Sequence, residues 1–258
     1  MIRKAIFVLP IIIVIVLLLD GRVPKKACDY VLEVEWDRAT SLRENDDHVQ
    51  RKPTAEEADE LRTSIQVCKH FTSEFNLTSE YLGEDEVWGT ATIINLAVEL
   101  DDVSLLDQMV SEGHSADGLS NSLNISTVYF ATYRQMGSAL HWALNKGVDP
   151  NLADVDGITP LMLAAMNPQD QLASIRILLD AGAQIDAIDS NGRPALVYAI
   201  RRQQYDNARL LADAGADIGL ARRSLVRELE NANSEIGTNR IQEAIDFLDQ
   251  NLAKAPTD

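Results

Sequence analysis

The stretch Asp156-Gly157-Ile158-Thr159-Pro160-Leu161-Met162-Leu163-Ala164-Ala165 decides the fold. Asp-Gly is turn chemistry, and Thr-Pro opens a helix, because proline at the first helical position is already set to helical φ. Leucine and alanine then supply a small-residue packing face. Downstream, Ile177-Leu178-Leu179-Asp180-Ala181-Gly182-Ala183 reads as a second helix that ends on a glycine able to adopt the left-handed conformation. Turn, helix, turn, helix, glycine is one unit of a repeat that cannot bury its apolar face alone.

Working outward, two independent anchors recover the same register. The alanine of the first helix recurs at Ala97, Ala131, Ala164 and Ala199, spaced 34, 33 and 35 residues apart. The terminal glycine recurs at Gly113, Gly147, Gly182 and Gly215. The Ala-to-Gly distance is 16 residues in three repeats and 18 in the third, which places a two-residue insertion at Asn167-Pro168-Gln169-Asp170. The run Ser138-Ala139-Leu140-His141-Trp142-Ala143 imitates a first helix, but register assigns it to the second helix of its repeat. Thr127–Gln135 is then the first, and His141 is read as a packing or helix-end residue.

On these residues the chain resembles the ankyrin-repeat family, whose pattern is a turn, T-P-L-H-x-A-A, and a second helix ending L-L-x-x-G-A. No repeat here carries the family histidine, and one carries Thr-Pro, so the array is divergent. The resemblance implies an all-α ankyrin solenoid of about four repeats, at about 88–117, 118–151, 152–186 and 187–220 within residues 88–220. Residues 221–252 are expected to form a C-terminal cap from helices at Arg222–Ala232 and Asn239–Asn251, with 253–258 frayed.

Ahead of the repeats, residues 1–20 read as a membrane signal. Arg3 and Lys4 precede an uncharged run from Ala5 to Leu19 containing five Ile and four Leu, followed by Asp20. Fifteen helical residues rise about 22 Å, less than the roughly 30 Å hydrocarbon layer, which by length suits a signal-peptide core. No small-x-small cleavage site follows, however, and basic residues at both ends can snorkel. A retained signal anchor, of a form common in bacteria, with the body in the periplasm is the favoured reading. A soluble periplasmic protein after cleavage is the alternative.

Residues 21–87 form an acidic membrane-proximal region with two expected helices. The weaker lies around Leu32, Trp36, Ala39 and Leu42. The clearer starts at a Thr54–Glu57 capping box and carries Ala58, Leu61, Ile65, Cys68 and Phe75 on one face. Gly83-Glu84-Asp85-Glu86 reads as a loop. Cys28 and Cys68, the two cysteines, could pair in an oxidising compartment.

The net charge is −17 and is unevenly placed. Residues 31–90 carry 15 acids and 6 bases, 91–120 carry 6 acids and no base, and 121–220 carry 10 acids and 7 bases. Such a field disfavours nucleic acid as a partner. The four histidines lack ligand spacing, and no nucleophile elbow or phosphate loop occurs, so neither metal, cofactor, small-molecule substrate nor catalysis is expected.

What the resemblance implies instead is protein binding, through hairpin tips and the exposed ends of the first helices. Carried over by register, the tips are Ser122 and Leu123, Val155 and Asp156, and Ser190, Asn191 and Arg193. The helix-end residues are Glu99 and Leu100, Tyr133 and Arg134, Met166 and Asn167, and Arg201 and Arg202. Of these, Tyr133, Arg134, Asp156, Met166, Asn167, Asn191, Arg193, Arg201 and Arg202 are the candidate partner-binding residues, an Arg- and Tyr-containing face suited to an acidic surface. Intramolecular pairing of the arginines with Asp154, Asp156, Asp186 or Asp189 is the alternative. The expected role is a membrane-tethered module that binds, and in one version inhibits, a protein. A structural adaptor of a membrane assembly competes with it.

Overall fold

In the computed structural model, the described residues are 54–68, 74–78, 87–119, 124–167, 172–232 and 234–252. The chain divides into two compact units, residues 1–146 and 147–258. The expected signal anchor, the helix around Leu32 to Leu42 and the Gly83–Glu86 loop all lie outside the described residues, as do Cys28, Ser122 and Leu123. No helix among the described residues is long and apolar enough to cross a membrane.

The first unit opens with α1 (Ala55–Cys68). Leu61, Ser64 and Ile65 are buried, and the helix packs on the first helix of the first repeat. Arg62 reaches Asp102 at 3.0 Å, and Gln66 donates to Gln108. Phe75 lies outside this helix and does not share its face as expected. Of Cys68 and Glu57 only the backbone is described.

Phe75 falls instead in β1 (Glu74–Thr78), which pairs antiparallel with β2 (Val87–Thr92). The register sets Glu74 against Thr92 and Phe75 against Ala91, with an irregularity at Leu77/Thr78. The all-α expectation is corrected: the described residues are mostly helical with one two-stranded ladder. Phe75, Val87, Trp88, Thr90 and Thr92 are of the aromatic and β-branched types that suit a pleated ribbon, and helical spacing alone does not register that preference.

The repeats follow as helix pairs. In the first unit these are α2 (Ile93–Glu99) with α3 (Val103–Ser111), and α4 (Thr127–Arg134) with α5 (Gly137–Asn145). In the second they are α6 (Pro160–Met166) with α7 (Leu172–Asp180), and α8 (Ala195–Arg201) with α9 (Tyr205–Asp213). The alanine anchors Ala97, Ala131, Ala164 and Ala199 are all buried. Gly113, Gly147, Gly182 and Gly215 all take positive φ, between 83° and 102°. The residue after Gly113, Gly182 and Gly215 donates back to Met109, Leu178 and Leu211, closing each helix with a glycine-dependent cap. His141 is exposed on α5, so the imitation motif is a second helix, as register requires, and its histidine is not a packing residue.

Local caps explain where first helices begin. Ser126 accepts from Tyr129 N at 3.1 Å, and Thr159 accepts from Met162 N at 3.3 Å. Both occupy the N-cap site, where a side-chain oxygen satisfies an otherwise unpaired amide. Between first and second helices, Asp101, Gln135 and Gln203 occupy the same register position and all take positive φ. The third repeat has Pro168 there, whose ring excludes that conformation. Asn167, just before it, leaves the helix extended at φ −72° and ψ 132°, as a residue preceding proline must.

The second unit ends with α10 (Ile218–Glu230) and α11 (Glu235–Phe247), each starting four residues earlier than expected. Asp217 and Ser234 supply N-caps that carry the helices back to those points. A π-helical turn, Leu248–Leu252, completes the described chain. Both helices pack on α8, burying Ala221, Leu225, Ile241, Ala244, Ile245 and Leu248.

Candidate functional site

In the first unit the two helix-end positions form a buried ion pair. Arg134 Nε meets Glu99 Oε1, with the side chains 4% and 0% exposed. Burial pushes the Glu99 carboxyl up, and the neighbouring Arg134 charge only partly opposes it. Arg134, expected on the binding face, is therefore committed to the interior and unavailable to a partner. The cause is register: α2 and α4 run side by side, which brings the ends of two first helices together. Tyr133, next to it, is half-buried.

In the second unit one turn is built twice. Asp154 accepts from the amides of Asp156 and Ile158 at 2.9 and 2.8 Å, and Asp189 accepts from those of Asn191 and Arg193 at 2.9 and 2.7 Å. Gly157 and Gly192 follow with φ 79° and 73°. The Ser190 amide donates to the Asp156 carbonyl, so the two hairpins lie edge to edge. A Cβ at Gly157 would come within 3.2 Å of the Asp189 backbone, and this tight approach together with the positive φ favours glycine there.

Asp189 is the centre of a larger cluster. Its side chain has no solvent exposure and accepts from Arg193 Nε at 2.9 Å and from Tyr198 OH at 2.7 Å, with Arg193 Nη2 at 2.7 Å. Burial opposes ionisation of this carboxyl. The bonds from the Arg193 side chain and amide, from Tyr198 and from Asn191 outweigh it and hold the pKa at about 2. Burial and the bond to Asp189 push the Tyr198 hydroxyl up. The Arg193 guanidinium also lies over the Tyr198 ring, 5.1 Å from its centroid.

Glu228, on α10, approaches from the other side. It sits 3.9 Å from Arg193 Nε and 3.0 Å from Arg201 Nη1. Arg227 lies against the hairpin, since a Cβ at Gly192 would fall 2.6 Å from its Nη1. Arg193 and Arg201 are thus paired within the fold. Asp189, one of the anticipated partners, takes Arg193, but Arg201 goes to Glu228, which sequence reasoning missed. The available signal was helical spacing, because Ser224, Leu225 and Glu228 share the inward face of α10.

Arg202 is exposed and has no ion pair among the described residues. Asp156 and Asn191 are exposed at their hairpins, while Met166 and Asn167 are half-buried at the end of α6. Val155 and Ile188 are the hairpins' exposed apolar residues, 63% and 54% accessible. The expected residues of the second unit therefore fall at three places, the hairpin edge, the end of α6 and the end of α8. No group of three or more His, Cys, Asp or Glu that could hold a metal ion occurs among the described residues.

A family model for ankyrin repeats in three copies matches residues 94–222, the stretch containing these turns, helix pairs and glycine caps. The chain belongs to the ankyrin-repeat family. It is 30% identical over 100 residues to human ankyrin repeat and SOCS box protein 6, an alignment covering 36% of this chain and 24% of that protein. It is 34% identical over 80 residues to an ankyrin repeat protein of Variola virus, covering 31% of this chain and 14% of the viral protein. The chain thus spans a quarter or less of the length of these curated relatives. Ankyrin repeats are in general a non-enzymatic protein-interaction fold, and the repeat residues here serve its architecture.

Proposed function

We propose that this chain is a non-enzymatic ankyrin module that binds an acidic surface of a protein partner through its second unit, while residues 5–19 hold it at a bacterial inner membrane facing the periplasm. The observation that carries the binding surface is Arg201 followed by Arg202: two successive exposed arginines at the end of α8, one of them with no ion pair among the described residues. Arginine presents five donors in a planar fork that fits carboxylates and keeps its charge at any physiological pH. Asp156, Asn191, Val155 and Ile188 offer polar and apolar contacts along the hairpin edge. Met166 and Asn167 extend the surface at the end of α6.

Helices α10 and α11 act in this reading as a C-terminal cap, with Arg222, Arg223, Glu243 and Asp246 facing water while the opposite face covers α8. Inhibition of a partner enzyme is the sharper version of the role, and passive assembly within a membrane complex is the competing one.

Crosslinking of the tagged full-length protein in intact cells, read by mass spectrometry, tests the proposal. The control carries Arg201→Glu and Arg202→Glu, and Arg134 is left intact because it is buried. A dominant partner lost in the control is the expected result. A partner retained unchanged would move the site away from α8, and absence of any crosslinked protein would favour the passive role.

A further inference from the structure

The stretch from Arg193 to Arg227 carries seven arginines against three aspartates, inside a chain of net charge −17. Most of these arginines are neutralised locally. Arg209 pairs with Asp206, Arg222 with Asp249, and Arg223 with Asp217. Asp189 is saturated by its own hairpin and by Tyr198. That leaves Glu228 as the accessible carboxylate facing Arg193 and Arg201, with Arg227 one residue away and laid against Gly192. Arg202 and Arg227 have no ion pair among the described residues. Glu228 itself is only 19% exposed and meets Arg201 through a single guanidinium nitrogen, so the fork of Arg201 is not fully used.

Resting on the protein-binding reading above, we propose that this cluster is a carboxylate-recognition site of which Glu228 is the built-in occupant. A glutamate or aspartate of the partner binds Arg201 and Arg202 and competes with Glu228 for the Arg201 fork. The cap helix α10 thereby sets the threshold for binding. The physical basis is that a partly exposed ion pair is worth little. A second carboxylate, able to form a two-pronged contact with an arginine and carried on a segment with further contacts, can therefore displace it. The acidity of the rest of the chain acts against casual capture of anions, so recognition requires the local geometry.

The test uses the full-length protein and a fluorescent glutamate-rich peptide, with binding followed by anisotropy at low and at physiological ionic strength. Glu228→Gln, which keeps the shape and removes the competing charge, is expected to tighten binding about two- to fivefold. Arg202→Gln, at an exposed position with no ion pair among the described residues, leaves the fold intact and is expected to weaken it by a similar factor. A peptide with glutamine in place of glutamate should not bind. Three results would overturn the proposal: no tightening by a folded Glu228→Gln protein, no loss with Arg202→Gln, or equal competition by inorganic polyphosphate, which would mean that charge alone is read. If Glu228→Gln unfolds α10, Arg202→Gln and the two competitors decide. Partner capture in cells that persists while the peptide fails would retain the binding module and reject the carboxylate site.

Discussion

A carboxylate without solvent exposure is tolerated only when its acceptor sites are filled, and Asp189 fills them with two backbone amides, a guanidinium and a phenol. Its folded pKa of about 2 lies below the ordinary 3.8, so the ionised form is favoured by folding. The stability this contributes is present above about pH 4 and disappears as pH falls through about 2, with a full value of about 2 kcal/mol. Asp189→Asn is therefore expected to lower urea-unfolding stability by about 2–3 kcal/mol at neutral pH and to flatten the dependence between pH 4 and 2. An unchanged acid profile would show that the carboxylate is not the group being titrated. At Gln203, φ is 59° without a glycine. Gln203→Gly should stabilise by roughly 0.5–1 kcal/mol and Gln203→Val should destabilise by about as much, both measurable by thermal melting. Of these two residues, Asp189 was visible in the sequence as a possible partner of the arginines, but its bond to Tyr198 was not. Nine positions separate them, and only the packing of α8 against its own hairpin brings the phenol over.

Between elements, buried polar groups take over where the repeat departs from its pattern. Pro168 lacks the amide that would serve the end of α6, and the carbonyls of Ala164 and Ala165 accept instead from buried Asn207 on α9, at 3.4 and 3.2 Å. In the first unit the Glu99–Arg134 pair joins the ends of α2 and α4. Two charges taken out of water are costly, so removing one partner strands the other. Glu99→Leu alone is expected to cost about 3–5 kcal/mol, whereas Glu99→Leu with Arg134→Met should return to within about 1 kcal/mol of the parent or exceed it. A double variant as unstable as the single would mean that hydrogen bonding, not desolvation, dominates the pair. Helix order and helix type were legible because alanine and glycine anchors recur with the period of the repeat. The ladder of β1 and β2 was not, because β1 lies in the acidic stretch read through helical spacing alone and β2 opens the segment assigned to the first repeat.

For the molecule as a whole, charge is separated along the chain, with six acids and no base in residues 91–120 and an arginine-rich α8–α10 region. Association with a partner through the second unit should therefore weaken with added salt, and the slope should fall when Arg201 and Arg202 are replaced. Invariant affinity from low to physiological ionic strength would point to the apolar hairpin residues Val155 and Ile188 instead. A periplasm-active reporter fused after Asp258 is expected to be functional, and one that works only in the cytoplasm would reverse the proposed orientation. The sequence by itself determined the repeat, its register, its glycine caps and the third-repeat insertion, because each depends on local backbone chemistry repeated at a fixed interval. Only tertiary structure decided which charges remain available. Arg134 and Arg202 each stand three residues beyond the alanine anchor of a first helix, yet one is buried against Glu99 and the other is exposed with no ion pair among the described residues. The difference lies in what packs beside each helix, and a side chain's charge does not encode its neighbours.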